Sequence, residues 1–479
     1  MPSDTILCTS QDSQLQGKPP KIEKNGKPIN EGTKEMEKVA PLLRQAVDEL
    51  ASLRESNGIT IIPLKNVQQE NGANRLDDFH VDMHIIDRKI HFFTSYHVGW
   101  FSTKLQDGSR VIINIQPRFG REIFTYMLSY AVEIMIPEGF TQSVDLTYKF
   151  ESEEGWLILL LWCAQLEAAT SIGYPISYVN RFEDLHVARG RIDLRTMISR
   201  GLIKQHLIPC FYRELTADNI INRTIRYCHR LLSQKFEISN PLLGISREVD
   251  QHLEMLGVAE ESLTGSEIEK IQYPPMYENY RPLMEICKLI IEQFDVAHVD
   301  HDKEDEETTS KAVFLDMSEL WENYLLSVLQ RNRIMADSAN TNLKLRLPLF
   351  DKDEPARYMR PDILVGQGGQ WSAIIDAKYK DYHGKKLPLE DRYQIAVYMF
   401  RYAGEFPSIR WGALCYPCEE SPSEEKFKLR SDKGEWDVYL LPFPIMPLNS
   451  EKDTRNRLEC LRESERQFIH SVREHLKKN

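Results

Sequence analysis

The sequence predicts a multidomain α/β protein in which an N-terminal region, β-rich and then helical, is followed by a C-terminal α/β module. Three observations carry this prediction. Short apolar runs separated by turns fill residues 79–117, helical apolar periodicity dominates 121–294, and an acidic stretch at 295–311 precedes an alternation of helix and strand patterns. With 479 residues the chain exceeds one ordinary domain. The usual size range suggests roughly two to four.

Taken in order, residues 1–38 are rich in Gly, Pro, Lys, Gln and Ser and are expected to form a flexible tail. Val39, Leu42, Leu43, Val47, Leu50 and Leu53 then recur at helical spacing. His84-Ile-Ile, Ile90-His-Phe-Phe and Val111-Ile-Ile-Asn-Ile115 read as short strands. Among them, Phe92, Phe93, Tyr96, Trp100 and Phe101 suit the core of a small sheet, with base stacking as the alternative. Helices are expected at 123–136, 156–169, 219–236 and 283–294, so that 39–294 makes one N-terminal region.

Residues 295–311 hold almost no large apolar side chain and read as a solvated acidic linker. His298, Asp300, His301 and Asp302 lie there without an apolar frame to hold metal-ligand geometry. Residues 312–479 form the last module. It is expected to contain a helix at 317–331, an extended run at 343–350, and strands at 360–365 and 371–379 joined by Gly366-Gln-Gly-Gly369. A helix at 389–402, strands near 410–416 and 436–441, and a charged helix at 456–475 complete it.

Composition sets limits on function. With 42% hydrophobic, 10% aromatic and 28% charged residues, wholesale disorder is excluded. The longest apolar stretch, Trp156-Leu-Ile-Leu-Leu-Leu-Trp-Cys-Ala164, is flanked by Glu153, Glu154 and Glu167. It is far shorter than the ~20 residues of a membrane span and reads as a buried core helix. The first residues lack the basic start and apolar run of a secretory signal, and the eight cysteines are scattered, so a reducing, cytoplasmic setting is expected. Cys415-Tyr-Pro-Cys418 has no second Cys pair to complete a metal site. A balance of 60 basic against 72 acidic residues gives a formal net charge of -12, which opposes unaided binding to a phosphate backbone. Any nucleic-acid role therefore needs a local site or a partner. Arg462, Arg466, Arg473, Lys477 and Lys478 interleave with Glu463 and Glu465, leaving a solvated face and a phosphate contact both open.

The segment that carries chemistry runs from Arg360-Pro-Asp through the glycine turn to Ile375-Asp-Ala-Lys-Tyr-Lys380. Strand alternation places Asp376 and Lys378 on one face, and pairing about the turn brings Asp362 opposite them. Hard divalent cations want oxygen ligands, and Mg²⁺ is commonly held by one or two carboxylates, waters and substrate phosphate oxygens. Lys378 could orient and help deprotonate a water, or neutralise charge developing on phosphate oxygens. The reaction class is phosphodiester hydrolysis. Two other Asp/Glu-x-Lys tripeptides, Asp87-Arg88-Lys89 and Glu424-Glu425-Lys426, lack the rest of the set. Only Asp376 is followed by a helix carrying Gln394-Ile-Ala-Val-Tyr398, whose four-residue spacing puts Gln394 and Tyr398 on one face.

These residues resemble the PD-(D/E)xK nuclease superfamily, in its branch with a Gln-x-x-x-Tyr helix. Within it, the chain is similar to the McrC family, the nuclease subunits of McrBC-type modification-dependent restriction systems. The similarity also rests on Leu320-Trp-Glu-Asn-Tyr324, Ile113-Asn-Ile-Gln-Pro-Arg-Phe-Gly120, Arg189-Gly-Arg-Ile-Asp193 and the run from Glu214 to Arg223. It extends over about residues 91–441, with Arg118 where the family usually has lysine. The first eighty or so residues have no matched counterpart.

The resemblance implies a C-terminal restriction-endonuclease-like domain with Asp362, Asp376 and Lys378 as catalytic core. It further implies Mg²⁺ held by Asp362, Asp376, the Ala377 carbonyl and Glu322, and DNA or carboxylate positioning by Gln394 and Tyr398. Glu322 also suits an exposed helix residue in an i,i+4 pair, and Glu319 competes for its role. Tyr398 also suits a core contact. No Gly-x-x-x-x-Gly-Lys-Ser/Thr loop is present, since the Gly-Lys pairs continue as Lys18-Pro19, Lys27-Pro28 and Lys385-Lys386. Nucleotide hydrolysis by that route is excluded. The resemblance instead implies a separate AAA+ McrB-like GTPase that recognises modified DNA and docks on the region before the linker. Double-stranded DNA would then be cut through the complex. A stand-alone repair or structure-specific nuclease, and a catalytically silent adaptor activating an AAA+ NTPase, are the alternatives.

Overall fold

The computed structural model describes residues 5–12, 19–30, 33–56, 59–61, 64, 79–86, 89–131, 153–236, 242–261, 264–294, 311–380, 382, 387–420, 422–431, 434–446 and 454–478. The expected acidic linker, all but Lys311, the end of the helix expected at 123–136, and Asp87 with Arg88 lie outside these residues.

The first stretch forms β1 (Thr5–Gln11), β2 (Lys21–Lys24), β3 (Lys27–Pro28), α1 (Lys34–Glu55), β4 (Ile59–Ile61), β5 (Val81–Ile86), β6 (Lys89–Thr94), β7 (His97–Lys104), β8 (Arg110–Gln116) and α2 (Arg121–Ala131). The middle holds α3 (Glu153–Thr170), β9 (Ser177–Leu185), β10 (Arg191–Ile192), β11 (Ile208–Thr216), α4 (Ile220–Lys235), α5 (Leu242–Met255) and α6 (Arg281–Phe294). The last stretch forms β12 (Lys311–Asp316), α7 (Met317–Arg331), β13 (Met335–Asp337), β14 (Ile363–Gln367), β15 (Gln370–Ala377), α8 (Leu389–Glu405), β16 (Trp411–Cys418), β17 (Glu425–Ser431), β18 (Gly434–Pro444) and α9 (Thr454–Lys478).

The chain divides into two compact units. One comprises residues 1–157 and 304–479, the other 158–303. The expected grouping of 39–294 is thereby corrected, and the reason is a strand. In the first unit a seven-stranded sheet runs β3-β2-β1-β8-β7-β12-β4. Its β12 comes after the expected linker, yet it pairs antiparallel with β7 and parallel with β4. Residues beyond 310 thus complete the sheet begun before residue 120.

The flexible tail expected at 1–38 is also corrected. Within it, β1 alternates half-buried and buried residues, with Ile6 and Cys8 in the core. It pairs parallel with β8 along its whole length and antiparallel with β2. The partner strand lies about a hundred positions downstream, so no local pattern in the sequence marks the pairing. Helix α1, capped by Thr33 accepting from the Met36 N–H, packs Val39, Leu43, Val47 and Leu50 into a core with Phe92, Phe101, Ile113 and Phe314. The aromatic cluster is therefore largely core packing, with Phe92, Trp100 and Phe101 buried.

A six-stranded sheet in the same unit runs β13-β14-β15-β16-β18-β17. Strands β14 and β15 form the expected hairpin. Gly368 and Gly369, at φ of 63° and 82°, make its two-residue turn, a conformation that suits glycine and matches strand twist. From β15 the chain crosses through α8 to β16, which pairs parallel with β15. Ile395 and Met399 of α8 pack on Ile374, Leu414 and Val438 in the second core. Residues 343–350 are not the extended run expected: Leu343–Leu345 is a 3-10 turn, and Leu347 makes an isolated bridge to Met359. Strand β17 went unpredicted at a charged edge, where Lys426 and Lys428 pair with Asp437.

The second unit contains α4, α5 and α6 and a three-stranded antiparallel sheet ordered β10-β11-β9. The sequence reading assigned this stretch to helices. Strand β9 buries no residue and β11 buries only the adjacent Pro209 and Cys210, so the alternation that marks a half-buried strand is missing. Among the described residues no helix is long and apolar enough to cross a membrane.

Candidate active site

The site is built at the C-terminal end of β15. Ile363 pairs with Ile375, and continuing that register by one residue sets Asp362 opposite Asp376. Asp376 is fully buried and Asp362 nearly so. Asp362 Oδ2 accepts the Ala377 backbone N–H at 2.8 Å, which locks the two strand ends together. Lys378, two residues past Asp376, returns to the same face, and its Nζ lies 2.8 Å from Asp376 Oδ2. The backbone N–H of Lys378 donates to the Cys415 carbonyl on β16 at 2.9 Å, extending the strand past its formal end.

Helix α8 supplies the next contacts. Lys378 Nζ donates to Gln394 Oε1 at 2.8 Å, Gln394 Nε2 donates to the Tyr398 hydroxyl at 3.2 Å, and that hydroxyl donates to the Arg360 carbonyl at 3.4 Å. A continuous polar line therefore runs from Asp376 through Lys378, Gln394 and Tyr398 back to the strand that carries Asp362. Tyr398 is more than a core contact, because its hydroxyl closes this line.

Helix α7 brings in Glu322. Its Asp316 cap accepts from the Ser318 N–H, and buried Trp321 donates to the Cys415 carbonyl at 3.3 Å, fixing the helix against β16. Glu322 Oε2 accepts from Asn340 Nδ2 at 3.1 Å. Burial raises the Glu322 carboxyl well above the ordinary range, and the charges of Asp362, Asp316, Glu319 and Asp376 raise it further. Glu319 faces elsewhere, with Oε1 accepting the Leu64 N–H at 3.3 Å. Glu322 thus feels the charges of Asp362 and Asp376.

Electrostatics separate the groups. Burial and the adjacent Asp376 push Asp362 up, against the opposing pull of Lys378. Burial alone would lower Lys378, but Asp376 and Asp362 outweigh it, and the ammonium is held above its ordinary value. Neither Asp376 oxygen receives a well-aligned hydrogen bond, the Lys378 contact being an ion pair. Two carboxyl groups and one ammonium share a buried corner, and the second carboxyl is disfavoured as a charge beside the first. Among the described residues, no group of three or more His, Cys, Asp or Glu side chains is placed to hold a metal ion. Mg²⁺ is commonly held by only one or two carboxylates, with waters and substrate oxygens completing its shell, and Asp362 and Asp376 are such a pair.

Residues the sequence reading missed surround this core. Asp391, in the first turn of α8, is buried and takes Lys380 Nζ at 3.1 Å and the Tyr382 hydroxyl at 2.7 Å. Its position as an acidic residue at a helix start was a usable signal. Asn340, which holds Glu322, gave none. Cys415 and Cys418 are buried free thiols, and on the last helix Arg466 and Lys477 pair with Glu463 and Glu474.

The second unit holds the remaining motifs. Arg189 and Arg181 both meet Glu214, and Asp218 binds Arg223 at 2.7 Å. Asn219 caps α4 by accepting from the Asn222 N–H. On β9 and β11, Tyr178, Phe182, Phe211 and Leu215 are exposed, with Arg213 over the Tyr178 ring and Arg191 over Phe211.

A mixed α/β chain of several sheets, with an acid-amine corner on its central hairpin, is the class of protein defined so far. The family model described as McrBC 5-methylcytosine restriction system component matches residues 94–417, and the chain belongs to that family. No curated protein matches it. Among solved structures, the chain is similar to a chain of the refined half-complex from the tetradecameric assembly of Thermococcus gammatolerans McrB AAA+ hexamers with bound McrC. That match has 15% identity and a TM-score of 0.50, covering 97% of this chain and 100% of the other. A chain of the Thermococcus gammatolerans McrBC complex also matches, at 17% identity and a TM-score of 0.34 over 69% of this chain and 88% of that one.

Proposed function

We propose that this chain is the Mg²⁺-dependent DNA endonuclease subunit of a GTP-driven restriction complex directed at modified cytosine, with a PD-(D/E)xK fold in its C-terminal module. The observation that carries the reading is the convergence of Asp362, Asp376 and Lys378 on one strand end, braced by Gln394 and Tyr398. Asp362, Asp376, the Ala377 carbonyl and Glu322 would hold the cation. When bound, Mg²⁺ polarises the scissile phosphate and lowers the pKa of an attacking water.

The protein's own groups do the rest. Lys378, kept as an ammonium by its two aspartates, donates toward phosphate oxygens and neutralises charge that develops on them. Gln394 and Tyr398 fix the direction of that ammonium, so little reorganisation accompanies the reaction. The complete set argues against a silent adaptor. The net charge of -12 favours delivery of DNA by a partner over unaided capture.

That partner is an AAA+ McrB-like GTPase, docked on the second unit, whose GTP hydrolysis this chain stimulates. The aromatic and arginine side chains exposed on β9 and β11 have the chemistry of an interface core. The test is a pair of variants. Asp376→Asn and Lys378→Ala should each lower GTP-dependent cleavage of methylated DNA by at least about 100-fold. Both should leave stimulation of the partner's GTPase at the wild-type level. Cleavage near the wild-type rate in either variant would overturn the assignment.

A further inference from the structure

The first residues of the chain, which lie outside the matched family region, reach the catalytic strand. Buried Asp12, at the end of β1, donates its backbone N–H to the Gln116 carbonyl, and its Oδ1 accepts the Arg118 N–H at 2.6 Å. The Arg118 guanidinium then lies over two rings, 4.6 Å from the centroid of Phe119 and 4.3 Å from that of Tyr379. Tyr379 is buried, meets Phe119 and Tyr96 edge-on, and directly follows Lys378.

A carboxylate with no exposed surface is costly to bury, and the backbone N–H it accepts from Arg118 offsets part of that cost. Past Ala377 the catalytic strand has left the sheet's regular pairing, and Lys378 is tied by its contacts with Cys415, Asp376 and Gln394. The packing of Tyr379 is the next restraint along the chain. Without it, the backbone that carries Lys378 gains freedom where misplacement by about 1 Å costs much of a reaction's rate.

We infer that Asp12 is a positioning residue for the nuclease: through Arg118 and the face of Tyr379, the N-terminal strand holds Lys378 in register with Asp376. This rests on the endonuclease reading above. The N-terminal strand is then part of the cutting machinery, not an appendage to it.

The experiment uses the full chain with its GTPase partner, GTP, Mg²⁺ and methylated DNA, comparing wild type with Asp12→Asn, Arg118→Met and the double variant. Each single change should lower kcat by about 10- to 100-fold with KM for DNA unchanged, and the double should cost about as much as either single because the pair acts as one unit. A second readout needs no cleavage. Labelling of lysines by an amine-reactive reagent, read by peptide mass spectrometry, should show Lys378 more reactive in Asp12→Asn while exposed Lys344 is unchanged. A merely structural role would raise labelling at other half-buried lysines of the same unit, such as Lys24 and Lys380, as well.

Wild-type kcat in a folded Asp12→Asn protein, or Lys378 labelling no faster than in wild type, would overturn the inference. A variant that does not fold is replaced by Asp12→Glu, which keeps the charge and should restore Lys378 protection; failure to restore it in a folded protein also counts against the inference. If wild type itself does not cut while Asp12→Asn exposes Lys378, the endonuclease reading fails and the positioning contact stands.

Discussion

Glu322 and Glu319 lie three residues apart on α7, and the structure gives them different work. Glu322 is raised by burial and by the aspartates and is held by Asn340, whereas Glu319 caps the backbone at Leu64. Glu322→Gln should therefore weaken the Mg²⁺ dependence of cleavage, shifting its midpoint upward by about tenfold, and Glu319→Gln should leave it within about twofold. A magnesium titration of both variants checks this, and the reverse order would contradict the assignment. Much of the site was legible at this scale. Strand alternation and the glycine turn placed Asp362, Asp376 and Lys378 together, and four-residue spacing placed Gln394 and Tyr398. Asn340 and the Asp12 contact were not legible, because they depend on the course of the loop at 338–346 and on a strand pairing far removed in sequence.

Strand pairing decides what single substitutions cost at the next scale. Gly99 of β7 faces Phe314 of β12, and a Cβ there would lie 2.1 Å from the Val313 carbonyl oxygen and 2.8 Å from Phe314 Cα. Both are backbone atoms that cannot swing aside. Gly99→Ala should part these strands and destabilise the first unit by about 1–3 kcal/mol or more, seen as a lower denaturant midpoint; an unchanged midpoint would contradict the packing. In the second unit, His229 of α4 contacts Ser246 Oγ of α5 at 2.8 Å through Nδ1. Burial lowers its pKa below the ordinary 6.5, partly offset by Asp250. The unfolded chain therefore takes up the proton first as pH falls. Stability held above 6.5 is lost as pH drops through the folded value. Hydrogen exchange of residues 220–235, corrected for the intrinsic rate, should show protection falling below about pH 6.5, and His229→Gln should flatten the response. Helices α1, α4, α6 and α8 were legible from apolar spacing. Strands β9 and β11 were not, because neither alternates buried with exposed residues, and β1 was not, because its partner is so distant in sequence.

Across the whole molecule, the compact units divide at residues 157 and 303, so the second unit is the middle stretch alone and not everything before the acidic run at 295–311. The sheet that β12 completes joins the start of the chain to the module with the acid-amine corner, so a break by sequence position misassigned residues 39–157. Hydropathy patterns show where strands lie and carry no record of which of them pair. The division of labour we propose is a nuclease unit including the N-terminal strands, and a second unit whose exposed arginine and aromatic side chains would meet the GTPase. The most direct measurement is cleavage of methylated and unmethylated DNA with Mg²⁺, by the chain alone and with its AAA+ partner, with and without GTP. The account predicts cutting only when partner, GTP and modification are all present. Cutting by the chain alone, or no cutting when all are present, would contradict it.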